Sequence, residues 1–204
     1  IFFIIHTKHN IDFRKYGLDK IPHFQFTTLR RILKVSIWTM IQNVVSLSTW
    51  FLFFLYVEHL GERALAITNL VRNVSGILFF VMMAFASTCG SLVSNLIGEG
   101  KSDCVQGTIR QHINIAYLFV LPLAAFFMLF PNLILGVYTN ISELQTAAIP
   151  SLLVMCSIYI IQVPGNVYFQ SVSGTGNTRM AFTLEFITLT IYVAYITYII
   201  LYLR

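Results

Sequence analysis

Charge is what this sequence has least of. Only 10% of its 204 residues are Asp, Glu, Lys or Arg, where a soluble domain carries roughly 25%. The remaining polar side chains are too few to face water all round. With 57% hydrophobic residues and a mean hydropathy of +0.76, lipid is the implied solvent for much of the chain. Cysteine is scarce as well. Cys89, Cys104 and Cys156 lie far apart in the sequence, so neither a disulfide framework nor a zinc site can be built from them. Cys89 and Cys156 fall inside apolar runs, where a small buried residue is the simpler reading. There is no H-E-x-x-H pair and no phosphate-binding glycine loop. His112 stands at a helix start, and His6, His9 and His23 sit in a polar stretch. An enzyme is therefore not expected, nor a metal, a cofactor or ATP as an energy source. The chain opens on Ile1-Phe2-Phe3-Ile4-Ile5 without an initiator Met, an n-region or a cleavage site. It reads as the end of an earlier helix, and the whole as a fragment, rather than as a signal peptide.

What is present is a set of long apolar runs. A spanning helix needs about 20 mostly apolar residues, and five segments qualify: about 35–57, 74–97, 111–131, 148–171 and 181–203. The second is extended at its start by an amphipathic turn or two holding Arg72, giving about 64–97. Only helices satisfy their own backbone in lipid. The fold class is thus all-α, a polytopic transmembrane bundle, despite the many Val, Ile and Phe.

The connections sort by charge. The stretch 7–34 holds Lys8, Arg14, Lys15, Lys20, Arg30, Arg31 and Lys34. Residues 58–65 offer only Arg63, offset by Glu58 and Glu62, and 132–147 have no Lys or Arg at all. Residues 98–110 carry Lys101 and Arg110, and 172–180 carry Arg179. High and low values alternate, as the positive-inside rule requires. This places 7–34, 98–110 and 172–180 in the cytoplasm and 58–65 and 132–147 outside. The net charge of +5 follows from topology and anionic lipid, and no nucleic-acid partner is expected. The long polar stretch 7–34, with Gly17 and Pro22, reads as the boundary between two helical bundles. Residues 1–6 then belong to the first bundle and 35–204 to the second.

Polar side chains inside spans are costly and so point to function. Gln42, Ser46 and Thr49 recur at i, i+4 and i+7 on one helix face, with Asn43 beside it. They either bond across helices or line a water-filled cavity. Ala86, Gly90 and Ser94 repeat every four residues, a spacing that lets two helices approach closely. Gln162, Asn166 and Gln170 form a third stripe, interrupted by Pro164-Gly165. Proline removes a helical donor, frees a carbonyl and tends to kink the helix. A kink with a polar stripe near mid-membrane suits a transporter's binding site, though a purely structural kink fits as well. Glu185 stands about two turns into the fifth span. It can reach the interface, pair with Arg179 at i−6, or titrate as an ion-coupling group. Arg72 reads as interfacial, near the outer surface.

Four segments in this order resemble the MATE (multidrug and toxic compound extrusion) transporters. They are His59-Leu60-Gly61-Glu62-Arg63-Ala64-Leu65-Ala66, Leu92-Val93-Ser94-Asn95-Leu96-Ile97-Gly98-Glu99-Gly100-Lys101, Val137-Tyr138-Thr139-Asn140 and Val172-Ser173-Gly174-Thr175-Gly176-Asn177-Thr178. The resemblance covers about residues 30–200. It implies that the five spans are helices seven to eleven of twelve and that 7–34 is the cytoplasmic inter-lobe linker. A six-helix N-terminal lobe of the same chain, which this fragment lacks, would be a partner. Sodium-coupled members of the family place acidic residues near the positions of Ser46 and Gln162, and neither of these can titrate.

The expectation is a secondary active antiporter in the cell (inner or plasma) membrane. It would export small organic, often cationic, compounds in exchange for Na⁺ or H⁺. Gln42, Ser46, Gln162, Asn166 and Gln170 are the cavity candidates, with Glu185 a possible coupling group and Pro164-Gly165 the kink. A lipid-linked oligosaccharide flippase of the same superfamily is the near alternative, disfavoured by the near absence of Lys and Arg from the spans. A non-transporting membrane scaffold is the alternative from another class.

Overall fold

The computed structural model describes residues 25–202. The expected helix end at 1–6, with His6, and most of the expected linker, residues 7–24 with His9 and His23, lie outside the described residues. The helices are α1 (Phe26–Glu58), α2 (Glu62–Gly98), α3 (Val105–Leu129), α4 (Pro131–Tyr138), α5 (Ser142–Gly174) and α6 (Thr178–Tyr202), with a 3-10 turn at Ser102–Cys104. No strand occurs among the described residues. All but α4 are long and apolar enough to cross a membrane, matching the five spans in number and order.

The chain divides into two units, residues 1–34 and 35–204. Of the first, the described part is Gln25 and the opening turns of α1, where the Thr28 hydroxyl donates to Gln25 Oε1. These turns carry Arg30, Arg31 and Lys34 and are helical, so the helix begins well before its apolar run. The other long helices also outrun their apolar runs. At a rise of 1.5 Å per residue the 37 residues of α2 extend about 55 Å, beyond the roughly 30 Å of hydrocarbon. Hydropathy detects only the lipid-immersed part, whereas backbone hydrogen bonding continues until a stop signal.

Those stops are local. At the end of α2, Gly100 takes a left-handed φ of 75°. Lys101 N–H then reaches Leu96 O at 2.9 Å and Gly100 N–H reaches Ile97 O at 3.0 Å, a Schellman arrangement that satisfies the last carbonyls. Between α3 and α5 the chain was expected to form a plain outer loop. It instead makes the short helix α4, because Phe130 leaves helical geometry (φ −124°, ψ 53°) and Pro131 starts a new helix at N1. Leu135 of α4 is fully buried.

The core of the second unit lies among α2, α3 and α5. Leu78, Met82, Val120, Leu152, Cys156 and Val163 are buried there, and Phe85 of α2 stacks on Phe119 of α3 at 5.4 Å. Ala86, Cys89, Val93, Ile109 and Val167 make a second cluster. At this second cluster α2 and α5 touch backbone to backbone. A Cβ on Gly90 would sit 2.7 Å from Gln170 O, and one on Gly174 would run into the Gly90 carbonyl. Two of the three small residues, Ala86 and Gly90, are buried in this approach, while Ser94 is exposed.

Helix α1 reverses the pattern of a soluble helix. Its buried residues are Gln42, Thr49 and Val57, whereas Leu47 is 70% and Phe51 65% exposed. Polar groups turned inward and large apolar groups turned outward are what a helix does when its solvent is lipid.

Candidate coupling and substrate site

Helices α1 and α6 meet along a seam. The Thr178 hydroxyl donates to Val35 O at 2.9 Å. Trp38 lies 5.6 Å from the Phe182 ring and carries the Arg179 guanidinium over its face at 5.6 Å. Further along, Gln42 Nε2 donates to Glu185 Oε2, and Ser46 Oγ donates to Glu185 Oε1. Near the far end, the Tyr56 and Thr197 hydroxyls are 3.2 Å apart. Residue numbers rise together on both helices, so α1 and α6 lie parallel.

The sequence spacing of Gln42 and Ser46, one turn apart, puts both on the face turned to Glu185. Gln42 is 92% buried, being 8% exposed, while Ser46 and Glu185 are half-buried. The carboxyl stands seven residues after Thr178, or about 10 Å along the helix axis. Its two oxygens each receive one donor, which is how a carboxylate is kept away from bulk water. Gln42 Oε1 is buried without a partner. The i−6 pairing of Glu185 with Arg179 is not formed: the guanidinium is taken up by the Trp38 face, a cation–π contact. Arg72, which is exposed, makes the same kind of contact with Phe54 at 4.9 Å.

The stripe on α5 is arranged differently. Asn166 Nδ2 donates to Gln162 O at 3.0 Å, a local bond within the helix. Gln162 Oε1 is buried and unpartnered. The Gln170 carbonyl lies at the Gly90 contact. No hydrogen bond joins this stripe to the Glu185 group among the described residues. The carbonyl freed by Pro164 is that of Ile160, four residues before it, and the Tyr117 hydroxyl of α3 donates to it at 2.5 Å. Helix α5 runs on unbroken through Pro150, Pro164 and Gly165. Tyr159 OH makes a second staple, donating to Ser75 O of α2 at 2.8 Å.

Two open hollows lie elsewhere. One is an apolar groove of about 300 Å³ between α2, α3 and α4, lined by Ile77, Phe127 and Tyr138 among others. The other, of about 430 Å³, includes Arg63 and Glu143, whose ion pair spans 2.9 Å. Neither is lined by Gln42, Ser46, Gln162, Asn166 or Gln170. No group of three His, Cys, Asp or Glu side chains is placed to hold a metal among the described residues.

Sequence reasoning placed Gln42, Ser46 and Glu185 on their own helices but did not join them. It missed Tyr117, Tyr56, Thr178 and Thr197. Tyr117 had one available signal: a tyrosine on a neighbouring helix can cap a proline-freed carbonyl.

Residues 36–199 match the protein-family model MatE. No curated protein and no solved structure matches the chain.

Proposed function

Because this chain belongs to the MatE family and is thus part of a MATE-type, multi-pass membrane transporter, we propose that it exchanges small organic, often cationic, compounds for Na⁺ or H⁺. The observation that carries this is the Glu185 carboxyl, held by Gln42 and Ser46 between two apolar spans. A carboxylate at the bilayer centre costs roughly 2.5–3.5 kcal/mol. The dedicated donors offset that cost and hold the carboxyl at one level of the seam. The family resemblance implies an acidic coupling group near Ser46. Here Glu185 reaches Ser46 from the neighbouring helix, so the same neighbourhood acquires a carboxylate that α1 lacks between Val35 and Val57.

In this reading Glu185 is the coupling group, and Gln162, Asn166 and Gln170 face the substrate path completed by the N-terminal lobe. Ligands drive the switch between inward and outward states through their differential affinity for the two. The setting is the cell membrane, with Lys101, Arg110 and Arg179 on the cytoplasmic side.

The test is efflux of organic cations by the full-length protein in a pump-deficient cell. Wild type should raise resistance, and Gln162→Ala and Glu185→Ala should lower it at equal expression. Absence of added resistance from wild type would count against the function. Full transport by Gln162→Ala would remove that residue from the site.

A further inference from the structure

We propose that the groove between α2, α3 and α4 seats one acyl chain of an outer-leaflet phospholipid whose headgroup carries no net charge. The inference does not depend on the antiport reading above. By the charge of the connections this is the outer end of the bundle, because residues 132–147 hold no Lys or Arg. The eight residues of α4 extend only about 12 Å, too short to cross roughly 30 Å of hydrocarbon. Helix α4 carries no charge, and it turns two apolar faces in different directions. Leu135 is fully buried in the core, while Leu133 is 60% and Val137 78% exposed. The far end is tied down where Gln145 Nε2 of α5 donates to Thr139 O at 2.7 Å. The outward apolar face continues the lipid-facing surface of α3, where Phe126 and Leu129 are exposed. What covers the one therefore covers the other, and next to spanning helices that is lipid.

The groove is lined by Ile77, Leu123, Phe127, Ile134, Val137 and Tyr138, apolar but for the Tyr138 hydroxyl. Left empty, such walls forfeit their dispersion contacts, and water would find almost no polar partner there. An acyl chain from the adjoining leaflet meets neither objection. A volume of about 300 Å³ lies at the lower limit of ligand pockets and suits one slender chain. The polar groups at the mouth are neutral. Asn73 is exposed one turn before Ile77, on the same face of α2 and nearer its outer end. Its amide and the Tyr138 hydroxyl can donate to ester and phosphate oxygens, and tyrosine favours this level of a membrane. No cation is free to select an anionic headgroup. The two cations of α2 are engaged, Arg63 by Glu143 and Arg72 by the Phe54 ring. The one Arg of α3, Arg110, stands at the opposite end of that helix.

The test uses the full-length protein in detergent micelles with limiting phosphatidylcholine that carries a photoreactive diazirine in one acyl chain. After irradiation, mass spectrometry of the digest should find adducts concentrated on Ile77, Ile134 and Val137. Leu47 and Phe51, on the lipid face of α1, should carry few. Adducts spread evenly over both sets would overturn the seat. Ile77→Trp fills the groove and should lose the groove adducts. Should that variant not fold, Val137→Trp, on the exposed lip, makes the same test. Groove adducts retained in a folded variant would overturn the assignment. Excess unlabelled phosphatidylcholine should abolish the groove adducts, and phosphatidylglycerol should compete clearly less well. Equal competition by the two lipids overturns the headgroup assignment. Displacement of the probe by tetraphenylphosphonium, but not by unlabelled phosphatidylcholine, would make the groove a path for organic cations and overturn the lipid seat.

Discussion

Tyr117 shows how one side chain makes a proline tolerable inside a membrane helix. Pro164 cannot donate to the Ile160 carbonyl, and lipid offers no replacement donor. The Tyr117 hydroxyl supplies it from α3. Tyr117→Phe should cost about 0.6–2 kcal/mol, the range of interhelical hydrogen bonds in membranes, measured by reversible unfolding in detergent. In a Pro164→Ala background the alanine N–H restores the helical bond, so the same substitution should cost clearly less. Equal costs in the two backgrounds would show that Tyr117 acts through packing alone. Glu185 makes the complementary point. Its two hydrogen-bond donors come from the neighbouring helix, on the face that the i, i+4 spacing of Gln42 and Ser46 had marked.

Between helices, glycine does two different jobs. Gly90 and Gly174 permit α2 and α5 to touch, and added side-chain atoms there meet backbone that cannot yield. Gly174→Val should destabilise by at least about 1–3 kcal/mol, the usual range for overpacking. Gly165 lies in the interior of α5, with nothing within 4 Å of where a Cβ would stand. Gly165→Ala should therefore stabilise by roughly 0.5–1 kcal/mol, by reducing the freedom of the unfolded chain. Thermal unfolding of the two variants in the same detergent gives shifts of opposite sign. A loss at Gly165→Ala would mean that this glycine serves a second conformation of α5.

For the whole molecule, orientation is the property most open to a direct check. Cys104 is exposed in the connection placed on the cytoplasmic side, whereas Cys89 and Cys156 are buried. In intact cells a membrane-impermeant maleimide should leave Cys104 unlabelled and should react with Asn140→Cys, exposed between α4 and α5. Permeabilised cells should label both. Labelling of Cys104 from outside would reverse the topology derived from the basic residues. The seam along α1 and α6 matters at this scale too. Its polar contacts are spread from Thr178 to Thr197, so the two helices are joined along most of their length rather than at one point.

The sequence by itself determined the all-helical class, the five spans and their order, and it supplied the expected orientation in the membrane. These depend on quantities that add along the chain: hydropathy over some twenty residues, and Lys and Arg counted loop by loop. Helix ends were legible where glycine marks them, as at Gly100, and not where a charged helix continues past the lipid, as at Arg30 and Arg31. Helix α4 was hidden because its eight residues are too few for a periodic signal. Only the tertiary structure decided that Glu185 belongs with Gln42 and Ser46, that Arg179 belongs with Trp38, and that Tyr117 completes the backbone at Pro164. Each joins residues more than 40 positions apart in sequence. Spacing along one helix gives the face a side chain occupies, but only the packing of the helices sets which face it meets.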